Sequence, residues 1–165
     1  MKPKKLLLIL LIFLIFPFAS LAQPFLERTG RWMIGGGVGL TEDPDLYALR
    51  LRVDYYITDE ISVGPFFQYG FKDSDYIFGL SGQVKYSALL AKNKVVRPYG
   101  EVGIGYIEFH HQDLFDGKRT TKYLFPVGGG FEFKLQDKLA LDVGILFDLS
   151  DEIFMGLFIG VAGIF

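Results

Sequence analysis

Across residues 31–165 apolar side chains recur at every second position, and that period limits what the chain can become more than any single motif does. Successive side chains of an extended strand point to opposite faces, so a period of two sorts each segment into two rows. The stretch Ile153–Phe165 shows this most plainly. Phe165, Val161, Ile159, Leu157, Met155 and Ile153 form an apolar row broken by Gly163, while the other row (Ile164, Ala162, Gly160, Phe158, Gly156, Phe154) is half glycine or alanine. The same sorting yields eight strand-like segments, at 31–40, 46–57, 61–70, 76–86, 98–109, 123–135, 139–149 and 153–165. Each has about the 9–11 residues that a tilted strand needs to cross a bilayer, or slightly more. Turn-forming residues separate them, as at Thr41–Asp45, Lys72–Asp75, Asp116-Gly117 and Gln136–Lys138.

Alternation alone does not say which row faces outward. A soluble barrel buries its apolar row, whereas a membrane barrel turns it to lipid. The soluble alternative is a lipocalin-like ligand carrier, whose glycine–x–tryptophan start Gly30-Arg31-Trp32 imitates. Two features favour lipid. Glycine concentrates on the polar row, as at Gly35, Gly37, Gly39, Gly103, Gly105, Gly128, Gly130 and Gly144, where a crowded interior needs room beside Arg50, Arg52, Phe66 and Phe158. The tyrosines lie towards strand ends, Tyr47, Tyr69, Tyr76, Tyr106 and Tyr123 at one rim and Tyr55, Tyr56, Tyr86 and Tyr99 at the other, as two aromatic girdles. The fold expected is all-β: an eight-stranded antiparallel up-and-down transmembrane β-barrel.

The beginning of the chain bears on where such a barrel would go. Lys2, Lys4 and Lys5 precede an apolar run from Leu6 to Phe16, and Ser20-Leu21-Ala22 precedes Gln23. A basic start, a short apolar core and small residues before a cut describe a secretory signal peptide, 1–22. Residues 23–30 then read as a short periplasmic lead-in and 31–165 as one barrel domain. Loss of three leader lysines leaves 14 basic residues against 19 acidic ones, a net charge of 14 − 19 = −5. That balance argues against a nucleic-acid partner. With no cysteine there is no disulfide, thiolate site or catalytic thiol.

Three stretches carry a resemblance. Ile153–Phe165, with its aromatic end, looks like the last strand of a bacterial outer-membrane barrel. Arg97-Pro98-Tyr99-Gly100-Glu101-Val102-Gly103-Ile104-Gly105-Tyr106 is similar to the fifth strand of the small outer-membrane β-barrel family that includes OmpA-type and OmpX-type proteins. Val127–Gly144 looks like its sixth and seventh strands with their tight turn. The resemblance implies a bacterial outer-membrane location, both chain ends in the periplasm, and lipid and lipopolysaccharide as surroundings. It also implies that Leu157, Ile159, Val161 and Phe165 are read by the outer-membrane assembly machinery. It implies fold rather than activity.

Two places are candidates for chemistry. Arg50, Arg52, Lys85 and Lys134 share the polar row with Asp54, Glu101, Glu132, Asp142 and Asp148, four positive against five negative. Near-balance is what a buried network requires, because an unpaired buried charge costs several kcal/mol. Eight strands leave an interior that side chains fill, so a structural plug is favoured over a narrow pore. The longest connection, His110–Lys122, holds both histidines together with Asp113, Phe115, Asp116, Gly117, Lys118 and Arg119. A lipid A-modifying enzyme would want a serine beside one histidine, and Ser74, Ser81, Ser87 and Ser150 belong to other segments. No enzyme, metal or cofactor is expected. Asp116-Gly117 instead favours a tight hairpin, so that Tyr106–Phe115 and Lys118–Phe125 extend past the membrane as a ribbon whose edge accepts a partner's strand. The acidic loop residues, among them Glu42, Asp45, Asp75 and Glu152, read as a solvated rim rather than cation sites. The reading is a monomeric barrel with a structural or surface-interaction role; the ribbon resembles the protruding sheet of OmpX-type proteins, and that resemblance implies adhesion or host-factor binding.

Overall fold

The period-two segments form strands that all meet in one sheet. The computed structural model describes residues 27–42, 45–72, 75–88, 95–110, 119–149 and 154–165. The strands are β1 (Trp32–Glu42), β2 (Tyr47–Tyr56), β3 (Ile61–Lys72), β4 (Asp75–Ser87), β5 (Val96–His110), β6 (Arg119–Leu124), β7 (Pro126–Gln136), β8 (Leu139–Asp148) and β9 (Phe154–Ile164). Each pairs antiparallel with its neighbours, and β1 pairs with β9 from Met33↔Ile164 to Glu42↔Met155, closing the sheet on itself. Phe165 donates its N–H to the Trp32 carbonyl at 2.8 Å and fastens the seam at the rim.

β6 and β7 are two parts of one barrel stave. β6 pairs with β5 over Gly105–His110, and β7 pairs with β5 over Val96–Val102. The interruption falls at Phe125, ahead of Pro126, which has no N–H to give a ladder. The freed Phe125 N–H donates to Asp148 Oδ1 at 3.2 Å. Counted as staves, the barrel has eight strands, up and down, as the sequence predicts.

The two rows separate without ambiguity. Val38, Leu51, Leu80, Val102, Ile104, Phe131 and Val161 are about half exposed, while Arg50, Arg52, Asp54, Lys85, Glu101, Glu132, Lys134, Asp142 and Asp148 are all at most 4 % exposed. An exposed apolar belt around a buried ionic core is the inverse of a soluble barrel, and this overturns the lipocalin-like alternative. The barrel has two unlike ends. The terminal end carries residues 27–31, Phe165 and the turns at 57–60 and 137–138; the loop end carries the last residues of β1, β3, β5 and β8.

Candidate functional site

Inside the barrel, the side chains form a lattice of ion pairs centred on Arg52. Its Nε donates to Asp54 Oδ2 at 2.7 Å and its Nη1 to Glu101 Oε2 at 3.0 Å, with Asp142 Oδ2 a further 3.6 Å away. Arg50 Nη2 reaches the same Asp142 oxygen at 2.6 Å and lies over the Phe158 ring. Alternation makes this possible, since every second residue of β2, β5 and β8 must point inward and meet across the lumen. One cation serves several carboxylates, each from a different strand.

Tyr99 completes this layer. Its hydroxyl donates to Asp142 Oδ1 at 2.7 Å, and Lys85 Nζ sits 4.2 Å from its ring centroid. The rim position predicted for Tyr99 is therefore wrong: it is 7 % exposed and faces the lumen. Its place follows from parity, because Tyr99 shares a row with Glu101 and Gly103. Tyr56, on the row of Arg52 and Asp54, is buried for the same reason. The remaining girdle tyrosines face outward: Tyr47, Tyr55, Tyr86, Tyr106 and Tyr123 are exposed, and Tyr69 and Tyr76 are half-buried. Tyr99 also explains a glycine. A Cβ at Gly144 would collide with the Tyr99 hydroxyl, so only glycine admits the ring at this height.

A second cluster closes the terminal end. Glu132 accepts from Lys85 on one oxygen and from Arg28 Nη1 on the other, the latter at 2.5 Å. Arg28 Nη1 also donates to the Tyr56 hydroxyl at 2.5 Å, and its backbone N–H to Asp59 Oδ1 at 2.6 Å. Arg97 Nη1 donates to the Asp59 carbonyl at 2.6 Å and Nη2 to its carboxylate at 3.1 Å. The period-two argument missed Arg28, because it precedes the first strand. Gly30 carries the chain into β1 through a left-handed turn (φ 75°), and the Arg31 N–H donates to the Arg28 carbonyl at 2.8 Å. That turn delivers the guanidinium to the barrel mouth. Burial works against the Arg28 charge, yet Glu132 and Tyr56 outweigh it and leave its pKa raised.

Two of the sequence-predicted charges sit apart from these clusters. Lys134 donates to Asp137 in the β7–β8 turn at 2.9 Å, and Asp148 caps the break at Phe125. At the loop end the lumen changes character. Leu46, Ile77, Ile107, Phe109 and Leu124 pack there into an apolar cluster, with Lys122 Nζ 5.7 Å from the Phe109 ring.

In the outer hairpin, His110 and Arg119 are paired as the last rung of β5 and β6. His111, Asp113, Phe115, Asp116, Gly117 and Lys118 lie outside the described residues. The ribbon is present up to that rung, with Tyr106 and Tyr123 tilted against each other on its outer face at 5.5 Å. Leu157, Ile159 and Val161 lie on the lipid-facing row of β9, and Phe165, just past its end, continues that row and is the most exposed of the four.

Comparisons with known proteins fit this architecture. Residues 8–152 match the family described as outer membrane protein beta-barrel domain. No curated protein matches by sequence. Among solved structures, the chain is similar to the N-terminal β-barrel domain of Pseudomonas aeruginosa OprF, at 14 % identity over 85 % of this chain and all of that one, with a TM-score of 0.70. It is also similar to Neisserial surface protein A (12 % identity, 82 % of this chain and 97 % of that one, TM-score 0.63). A third likeness is to the outer membrane protein OprG from Pseudomonas aeruginosa (13 % identity, 84 % and 97 %, TM-score 0.63).

Proposed function

Because the chain belongs to the outer membrane protein β-barrel domain family and lies in the bacterial outer membrane, we propose that it is an ion-tight scaffold presenting the β5–β6 hairpin to a partner. One observation carries this reading. β6 pairs with β5 up to the His110–Arg119 rung and so carries its stave past the Pro126–Asp148 rung of the β7–β8 ladder. A projecting strand offers backbone donors and acceptors in register, and an extended segment of another protein can add to it. The partner is a surface or host protein with such a segment, and the barrel acts as a monomer among lipid and lipopolysaccharide.

The filled lumen supports the scaffold half of the reading, since side chains from facing strands meet across it at hydrogen-bonding distance. The reading assigns no catalytic step. Leu157, Ile159, Val161 and Phe165, on an outward row ending at the rim, are suitably placed to be read by the assembly machinery.

The test compares cells displaying the full barrel with cells displaying one that lacks residues 110–121. Heat-modifiable gel migration would establish that both are folded. Loss of adhesion to immobilised host-surface proteins on deletion is the expected result, and undiminished adhesion would remove the interaction role.

A further inference from the structure

The β1–β9 seam joins the first strand to the last, and it is poor in side chains. Six of its ten rungs hold a glycine, against one of eight between β2 and β3. Cross-strand side-chain pairs strengthen one ladder over another, and a glycine rung has none. The shortage cannot be made good in place at the central rung, Gly37 opposite Gly160. A Cβ at Gly37 would stand 2.7 Å from the Ile159 carbonyl oxygen, and one at Gly160 would meet the Gly36 carbonyl oxygen.

An ion pair lies directly over that rung. Arg50 stands opposite Gly37, Gly37 opposite Gly160, and Gly160 opposite Asp142, so the four form one row across β2, β1, β9 and β8. Parity turns all four to the lumen. With no side chain on the inner two, the outer two meet above them, Arg50 Nη2 to Asp142 Oδ2 at 2.6 Å. One inward row higher, a Cβ at Gly39 would stand 2.5 Å from the ring of Phe158, its partner across the seam, and the Arg50 guanidinium lies 5.1 Å from that ring's centroid. At the terminal end Arg28, just ahead of β1, bonds Glu132 on β7 at 2.5 Å, past β9 and β8. Both bonds straddle the seam.

We propose that the Arg50–Asp142 pair is a clasp that holds the β1–β9 seam shut across its glycine rung, with Arg28–Glu132 as a second clasp at the terminal end. The strands that form the seam are then held together by their outer neighbours, and the clasps set how fast the barrel opens there. Not every lattice bond shares this role. Arg52–Glu101 spans β3 and β4, on the opposite wall. Neither clasp leaves a bare carboxylate when its arginine is removed, because Asp142 keeps Tyr99 and Glu132 keeps Lys85.

The chain has no cysteine, so cysteine pairs can be introduced without interference. The full folded barrel in lipid vesicles is unfolded in urea, and the rate is read from the loss of heat-modifiable gel migration. Three backgrounds are compared: no cross-link, a short thiol cross-link over the seam (Val38→Cys with Ile159→Cys), and one over β3–β4 (Val63→Cys with Val84→Cys). Without a cross-link Arg50→Met should unfold about tenfold faster. The seam cross-link should cut that factor to about twofold or less, and the β3–β4 cross-link should leave it unchanged. For Glu101→Gln, which breaks the bond on the opposite wall, the acceleration should survive the seam cross-link. Arg28→Met, outside the strands, repeats the test at the terminal end and carries it alone if Arg50→Met does not fold. No acceleration without a cross-link, or an acceleration that the seam cross-link leaves intact, would overturn the proposal.

Discussion

The lumen is closed twice, by unlike means, and its two regions differ in what they tolerate. At the loop end Leu46, Ile77, Ile107, Phe109 and Leu124 exclude water by packing. Towards the terminal end Arg28, Arg50, Arg52 and Lys85 are matched with Glu101, Glu132 and Asp142 from other strands, and Arg52 also with Asp54 of its own strand. Packing is non-directional, so another apolar side chain of similar volume suits the upper region. The ion lattice is directional and shared: one guanidinium answers three carboxylates, and its loss takes the hydrogen bonds from Asp54 and Glu101 while Asp142 keeps Arg50 and Tyr99. The ionic layer therefore fixes which strands face each other, whereas the apolar layer only fills the space between them.

The largest predicted effect breaks the ionic layer. Arg52→Met removes the common partner of Asp54, Glu101 and Asp142 and should cost about 3–5 kcal/mol in urea unfolding from lipid vesicles. A loss below about 1 kcal/mol would show that the lattice has no hub. Next comes the apolar cluster, where Ile107→Ala should cost about 2–5 kcal/mol but Ile107→Leu less than about 1.5 kcal/mol. Equal penalties for the two would place the upper region under the same directional constraint as the lower. The smallest effects concern the seat of Tyr99. Gly144→Ala drives a methyl into its hydroxyl and should cost about 1–3 kcal/mol, while Gly100→Ala, whose nearest neighbour is Gly128 O at 3.9 Å, should stay within about 0.5 kcal/mol.

Parity carried most of this structure. Charges at every second residue of β2, β5, β7 and β8 can only be pooled by a closed sheet, so the interior charges were legible without coordinates. The errors arose where another cue overrode parity. Tyr99 and Tyr56 stand near strand ends as girdle residues do, but they share their rows with Glu101 and Asp54 and so point inward. Arg28 was invisible because a period needs a strand, and residues 27–31 form a turn. The break in the sixth stave had a signal in Pro126, whose missing N–H forbids one rung of the ladder. The apolar cap was hidden for a different reason. Ile77, Ile107 and Leu124 fall on the polar row, and alternation does not say at what height that row changes character.

Closure itself is read most directly in a planar lipid bilayer holding the folded, full-length barrel under an applied potential. The double seal predicts a current indistinguishable from that of bare lipid. Steady conductance steps of defined size from the unmodified protein would contradict it.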